Sequence, residues 1–80
     1  MTNEEIFNKV KDILVDQFDL DDSEVKMDTN LTDDIDADSL DLFEVLNRVE
    51  DDFDIKLDVA EDIKTVSDLV NKIQEQVDKK

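Results

Sequence analysis

Ile6, Phe7, Val10, Ile13, Leu14 and Phe18 recur three and four residues apart, the spacing that gathers side chains along one face of an α-helix. Thr2, with Glu5 three residues on, is a capping-box pattern that opens this helix, and its end is predicted near Gln17. A second stripe, Leu42, Val45, Leu46, Val49 and Phe53, follows Asp38, which suits the N-cap and leaves Ser39 in the first turn. A third stripe, Val66, Leu69, Val70, Ile73 and Val77, follows Thr65 with Asp68 as its capping pair. Between them, DVAE at Asp58 to Glu61 is a D-x-x-E start for a short helix ending near Ile63. No stretch alternates cleanly as a strand would, and no segment repeats. Three longer helices and a short one predict an all-α four-helix bundle, a single domain over residues 1–80.

The stretch from Phe18 to Ala37 has no sustained period. Its apolar residues Leu20, Val25, Met27, Leu31 and Ile35 are spread among turn-formers, and so long a connection with regular apolar anchors is expected to pack against the bundle. Glycine and proline are both absent, so its turns fall to Asp, Asn, Ser and Thr, whose side chains bond the local backbone.

Charge narrows the function. Twenty-five acidic residues against nine basic ones leave −16. Such a surface repels nucleic-acid phosphates and anionic membranes, so neither is an expected partner. Proteins with basic patches are the natural counterpart, and steering toward them raises association rates but weakens with salt. Cysteine is absent, which fits a reducing cytoplasm. The opening MTNEEIF lacks a secretion signal's basic start and apolar run, and no apolar stretch reaches membrane-span length, so no membrane insertion is expected.

With neither histidine nor cysteine, every Ser-His or Cys-His arrangement is excluded, and no enzyme activity is expected. The alternating Asp34, Asp36 and Asp38 invite a calcium reading. An EF-hand loop from Asp34 would need Gly at Ser39 and Glu at Val45, and a loop from Asp19 would close on Asn30; both fail. Loose divalent-cation binding by Asp33, Asp34 and Asp36 remains open beside a merely solvated acidic face. Ser39 is the remaining candidate. At a helix N-terminus, free N–H groups and the positive dipole end suit an esterified phosphate. Asp38 and Asp41 oppose that locally and suit instead a recognition surface for a basic partner. An ordinary first-turn serine is the competing reading of these three residues alone.

DADSLDLFEVLNRVEDDFDI, Asp36 to Ile55, resembles the D-S-L motif and acidic second helix of the bacterial acyl carrier protein family. EEIFNKVKDILVDQF resembles that family's first helix, VKMDTNLTDDI the loop leading to its serine, and IKTVSDLVNKI the start of its last helix. The resemblance covers nearly the whole chain. It implies a four-helix bundle whose motif serine, here Ser39, carries covalent 4′-phosphopantetheine, installed from coenzyme A by a phosphopantetheinyl transferase. The arm's thiol then holds acyl chains as thioesters. A chain without cysteine can present a thiol only through such a cofactor.

The resemblance further implies a docking face for basic patches on fatty acid synthesis enzymes and acyltransferases. The matching positions are Asp38, Asp41, Glu44, Asn47, Glu50 and Asp51, with Leu40 and Phe43 as exposed apolar contacts. For Phe43, packing against the loop is an equal alternative. Leu42, Val45, Leu46 and Ile63 are the expected walls for an acyl chain slipped between helices, and would be core in any such bundle. Three departures stand out. Asp36 takes a position the family commonly gives to Gly; Asn47 replaces a common Met and is followed by the cationic Arg48; and the stretch from Phe53 to Ile63 is shorter than in many members and lacks their proline. The expected role is a monomeric, cytoplasmic carrier in type II fatty acid synthesis or phospholipid acyl transfer. A carrier for polyketide, peptidyl or D-alanyl groups is the alternative within the family. An acidic helical adaptor or divalent-cation module without a cofactor is the alternative outside it.

Overall fold

The computed structural model describes residues 2–36, 38–57 and 63–79, with Ser39 described by its backbone. Three α-helices follow one another: α1 Asn3–Phe18, α2 Ser39–Phe53 and α3 Val66–Asp78, with a short 3-10 turn at Asp22–Glu24. The described residues contain no strand, only an isolated antiparallel bridge between Asn30 and Thr65. The all-α architecture is the one the periodicity predicted. The short helix expected from Asp58 falls on residues 58–62, outside the described residues. No described helix is long and apolar enough to cross a membrane.

Each helix starts where its capping residue stands. Glu5 N–H donates to Thr2 Oγ1 and Thr2 N–H donates back to Glu5 Oε1 at 3.1 Å, which satisfies two donors that the first turn would otherwise leave open. Thr65 and Asp68 do the same for α3. α1 ends at Phe18 rather than Gln17. Asp19 takes the left-handed conformation there (φ 56°), and its N–H and that of Leu20 both reach the Val15 carbonyl. Asp54 ends α2 in the same way at φ 54°, with Ile55 N–H also on Glu50 O. Helices commonly close on glycine at this position; in a chain without glycine, aspartate tolerates the left-handed well best among the residues present at these sites.

The core draws Ile6, Val10, Ile13 and Leu14 from α1, Val45, Leu46, Val49 and Phe53 from α2, and Val66, Leu69, Val70 and Ile73 from α3. Phe7, Phe18, Leu42 and Val77, predicted stripe members, sit at its margin and are partly buried. α1 packs against both other helices, while α2 and α3 approach each other little. An open groove of about 700 Å³ lies beside Asn47, Glu50, Asp54 and Ile55 of the α2 end and Gln76 and Lys79 of the α3 end.

The long connection packs as expected: Val25 and Leu31 are buried, and Met27 and Ile35 lie against the core. It is stitched to the start of α3. Leu31 N–H donates to Lys64 O, Val66 N–H to Thr29 O and Ser67 N–H to Met27 O, all within 2.9 Å. The loop thereby takes two of the N–H groups that open α3. Thr29, the one buried polar residue among those described, accepts from Lys26 N–H at 2.8 Å and donates to Glu24 O. Asp36 stands at φ 62°, so the position where the resembled family commonly has Gly does demand a left-handed backbone, and Asp supplies it.

Candidate functional site

The connection delivers the chain to Asp38, whose extended backbone (φ −90°, ψ −178°) turns it into α2. Asp38 Oδ1 accepts the Asp41 N–H at 2.9 Å, and Asp41 Oδ2 accepts the Asp38 N–H at 3.4 Å. Asp38 is thus the N-cap that the sequence predicts, and Asp41, expected only as a recognition acid, completes it as a reciprocal cap. Ser39 is the first residue of α2, and its side chain lies outside the described residues. Asp38 and Leu40 on either side of it are both exposed, Leu40 by 66 %. The Leu40 N–H has no acceptor among the described residues, whereas Asp41 and Leu42 N–H are taken by Asp38. A phosphate attached at position 39 would meet that donor and the positive end of the α2 dipole.

Below this start, Leu40, Phe43, Glu44, Asn47 and Asp51 are all exposed. Their spacing of three and four residues sets them in one outward ridge, opposite the buried Val45, Val49 and Phe53. Phe43 is 61 % exposed, which decides against its tucking into the loop. The other expected docking residues have additional employment. Glu50 is half-buried and its Oε2 accepts the Leu57 N–H at 3.2 Å, so it pins the chain leaving α2. Glu44 Oε2 accepts from Gln17 Nε2 at 2.8 Å. Arg48 does not project from the ridge. It donates to Asp16 Oδ2 at 2.9 Å and to Gln17 Oε1 at 3.3 Å on the last turn of α1. Gln17 was read only as the end of a helix; nothing local in the sequence links it to a residue 27 positions on.

Of the expected acyl-chain walls, Val45, Leu46 and Ile63 are buried and Leu42 is partly so, all belonging to or flanking the common core. Asp33, Asp34 and Asp36 do not form a cation cage. Asp34 Oδ2 accepts the Asn30 N–H at 2.8 Å, and among the described residues no group of three acids is placed to hold a metal. Two carboxyls elsewhere are held below their usual range, both by capping: Asp68 by the N–H groups of Lys64 and Thr65, and Glu5 by the N–H and hydroxyl of Thr2.

A family model described as "Phosphopantetheine attachment site" matches residues 8–73, a span that includes the whole of α2. The chain is 48 % identical over 71 residues to an acyl carrier protein of Streptococcus pneumoniae, covering 89 % of this chain and 95 % of the relative. It is 49 % identical over 76 residues to one from Picosynechococcus, covering 92 % and 94 %. Among solved structures, it is similar to the acyl carrier protein of Enterococcus faecalis, described for its high thermal stability, with a TM-score of 0.79 at 35 % identity over 95 % of this chain and 99 % of that one.

Proposed function

This chain belongs to the acyl carrier protein family, whose cofactor is 4′-phosphopantetheine, and from that premise we propose that Ser39 is its attachment point and type II fatty acid synthesis or phospholipid acyl transfer its setting. The observation that carries the proposal is the position of Ser39. It is the first residue of α2, between exposed neighbours, inside the span that matches the attachment-site family.

The residues fit the group. The Leu40 N–H, without an acceptor among the described residues, and the helix dipole favour a phosphodiester at position 39. When attached, the group supplies a thiol on a long flexible arm, which a chain without cysteine otherwise lacks. In loading, the Ser39 hydroxyl oxygen bonds to the pantetheine-bearing phosphorus of coenzyme A. The bond from that phosphorus to the adenosine bisphosphate breaks, and the serine proton passes to a base of the phosphopantetheinyl transferase. The chain contributes a capped helix start and a surface to hold.

That surface is the outward ridge of Leu40, Phe43, Glu44, Asn47 and Asp51, with Asp38, Asp41 and Glu50 flanking it. We assign it to basic docking patches on the transferase and on enzymes that load, extend or remove acyl chains. Apolar contacts at Leu40 and Phe43 lie among acids, so a partner with a small apolar pocket ringed by Lys and Arg is complementary. The carrier acts as a single domain in the cytoplasm. We assign Leu42, Val45, Leu46 and Ile63 to the wall of an acyl chain entering between α2 and α3, whose backbones approach each other less closely than either approaches α1.

The test is direct. Incubation with coenzyme A and a broad-specificity phosphopantetheinyl transferase adds the mass of one phosphopantetheine, and Ser39→Ala abolishes the gain. No gain in the wild-type chain would favour the acidic adaptor instead.

A further inference from the structure

Glu44 and Arg48 stand four residues apart on α2, acid before base, the orientation in which a helical ion pair is most favourable. They do not pair. Arg48 reaches across to Asp16 at 2.9 Å and to the Gln17 carbonyl oxygen at 3.3 Å, while the same Gln17 offers its amide N–H to Glu44 at 2.8 Å. The last turn of α1 therefore inserts an amide between two groups that would otherwise meet. The amide is matched at both ends: its donor faces the carboxylate and its acceptor faces the guanidinium, and the reverse orientation would set like against like.

The geometry points to Asp16 and Gln17 as positioning residues that hold Arg48 off Glu44 and so keep the Glu44 charge available to a basic partner. This rests on the docking ridge assigned above. The Arg48–Asp16 pair is exposed, with side-chain exposures of 42 % for Arg48 and 74 % for Asp16, and Glu44 is exposed as well. Exposed pairs of this type differ little in strength, so two small side chains on a neighbouring helix suffice to choose between them. With those anchors in place, Arg48 lies along α1, and Glu44 stays on the ridge with Leu40, Phe43, Asn47 and Asp51. Without them, Arg48 is left to the acids of its own helix, Glu44 four residues behind it and Asp51 and Asp52 three and four ahead; the acid-before-base order favours Glu44, and neutralising Glu44 cancels a charge in the middle of the docking face.

Removing both anchors in Asp16→Asn/Gln17→Ala is expected to slow transferase association at low salt by about threefold, with the difference closing at high salt. Adding Arg48→Gln to that pair is expected to restore the rate. A charge-matched control, Asp16→Asn/Gln17→Ala with Lys26→Gln, recovers the same net charge far from the ridge and is expected to stay slow. Restoration by both additions alike, or no slowing in the double variant, would overturn the assignment. A readout independent of loading separates this inference from the attachment reading. In the double variant, NMR cross-relaxation should appear between the Arg48 guanidinium and the Glu44 side chain, absent in the wild type. If Arg48 stays away from Glu44 there, the clamp is refuted even when Ser39 loads normally; if the contact appears in a chain that never loads, the clamp stands and the attachment reading fails.

Discussion

Phe43→Ala separates a docking residue from a packing residue. Phe43 keeps 61 % of its surface open on the ridge below Ser39. An aromatic side chain buries about 150–250 Å² when fully covered, so about 90–150 Å² remains for a partner to cover. At about 25 cal/mol per Å² that surface is worth about 2–4 kcal/mol if it were covered completely. Partial coverage and the ordering of groups at the interface reduce the yield, so the expected loss is about 1–2 kcal/mol, roughly 5–30-fold in Kd. Calorimetric titration of the apo chain with a phosphopantetheinyl transferase measures it. Stability must be followed in parallel by thermal melting at 222 nm. The smaller buried share of the ring, about 60–100 Å² by the same reckoning, should cost about 1.5–2.5 kcal/mol, a shift of about 6–20 °C for a domain of this size. An unchanged Kd would remove Phe43 from the docking face. A stability loss above about 3 kcal/mol, the range of a fully buried Phe→Ala, would return the ring to the core and refute the reasoning from its exposure.

Thr29→Val keeps the shape of a buried side chain but strands the Lys26 N–H and the Glu24 carbonyl. The expected loss is about 2 kcal/mol, read as a lower urea midpoint with an unchanged slope, and a neutral effect would mean the hydroxyl is not holding the loop. Asp68→Asn tests the α3 cap. Because folding lowers the Asp68 pKa from 3.8, its charged form stabilises the fold above the unfolded-state value and that contribution is lost as pH falls through the folded value. The variant should therefore be less stable than wild type at neutral pH and converge with it in acid, whereas a gap independent of pH contradicts the assignment. Asp19→Gly should stabilise, by up to about 1 kcal/mol, because the left-handed backbone there suits glycine and one charge leaves a strongly acidic chain; chemical denaturation checks the sign. Glu44→Lys should slow loading at low salt far more than at high salt, and equal rates at low salt would remove Glu44 from the docking face.

The three long helices were legible because their signals are local. A stripe with a period near 3.6 and a Thr or Asp three residues ahead of an acid are written within a few positions, and the structure places Thr2, Asp38 and Thr65 at the starts they announce. The start of α2 at Ser39 was legible for the same reason. What Asp38 and Asp41 do there was only half legible, since a cap and a recognition acid use the same residue type. Contacts across the chain were not legible. The Thr29 carbonyl on Val66 N–H, Glu44 on Gln17 and Arg48 on Asp16 each join residues about thirty or more apart, and no spacing rule pairs them. Nor does charge announce which acids are free. Glu50 and Asp51 are neighbours of identical sign, yet one pins the Leu57 N–H and the other faces outward.

These contacts divide the labour among the helices. α1 forms a seam with each of the others, so the fold rests on Ile6, Val10, Ile13 and Leu14, none of which lies near Ser39 in sequence. α3 is fixed at its start by the loop, through Thr29 and Met27. α2 is held on its inner face and by Gln17, Asp16 and the Glu50–Leu57 contact at its flanks, which leaves its outer face uncommitted. The proposed acyl-chain site lies between α2 and α3, whose backbones approach each other less closely than either approaches α1. Each methylene of an acyl chain taken out of water contributes about 0.8 kcal/mol, so a chain entering there would offset the cost of parting that seam while the α1 contacts stay in place. Overpacking that seam, for example by Leu42→Phe, should therefore reduce protection of a bound long-chain thioester more than it changes the melting temperature. A variant that protects its thioester as well as wild type would place the chain elsewhere.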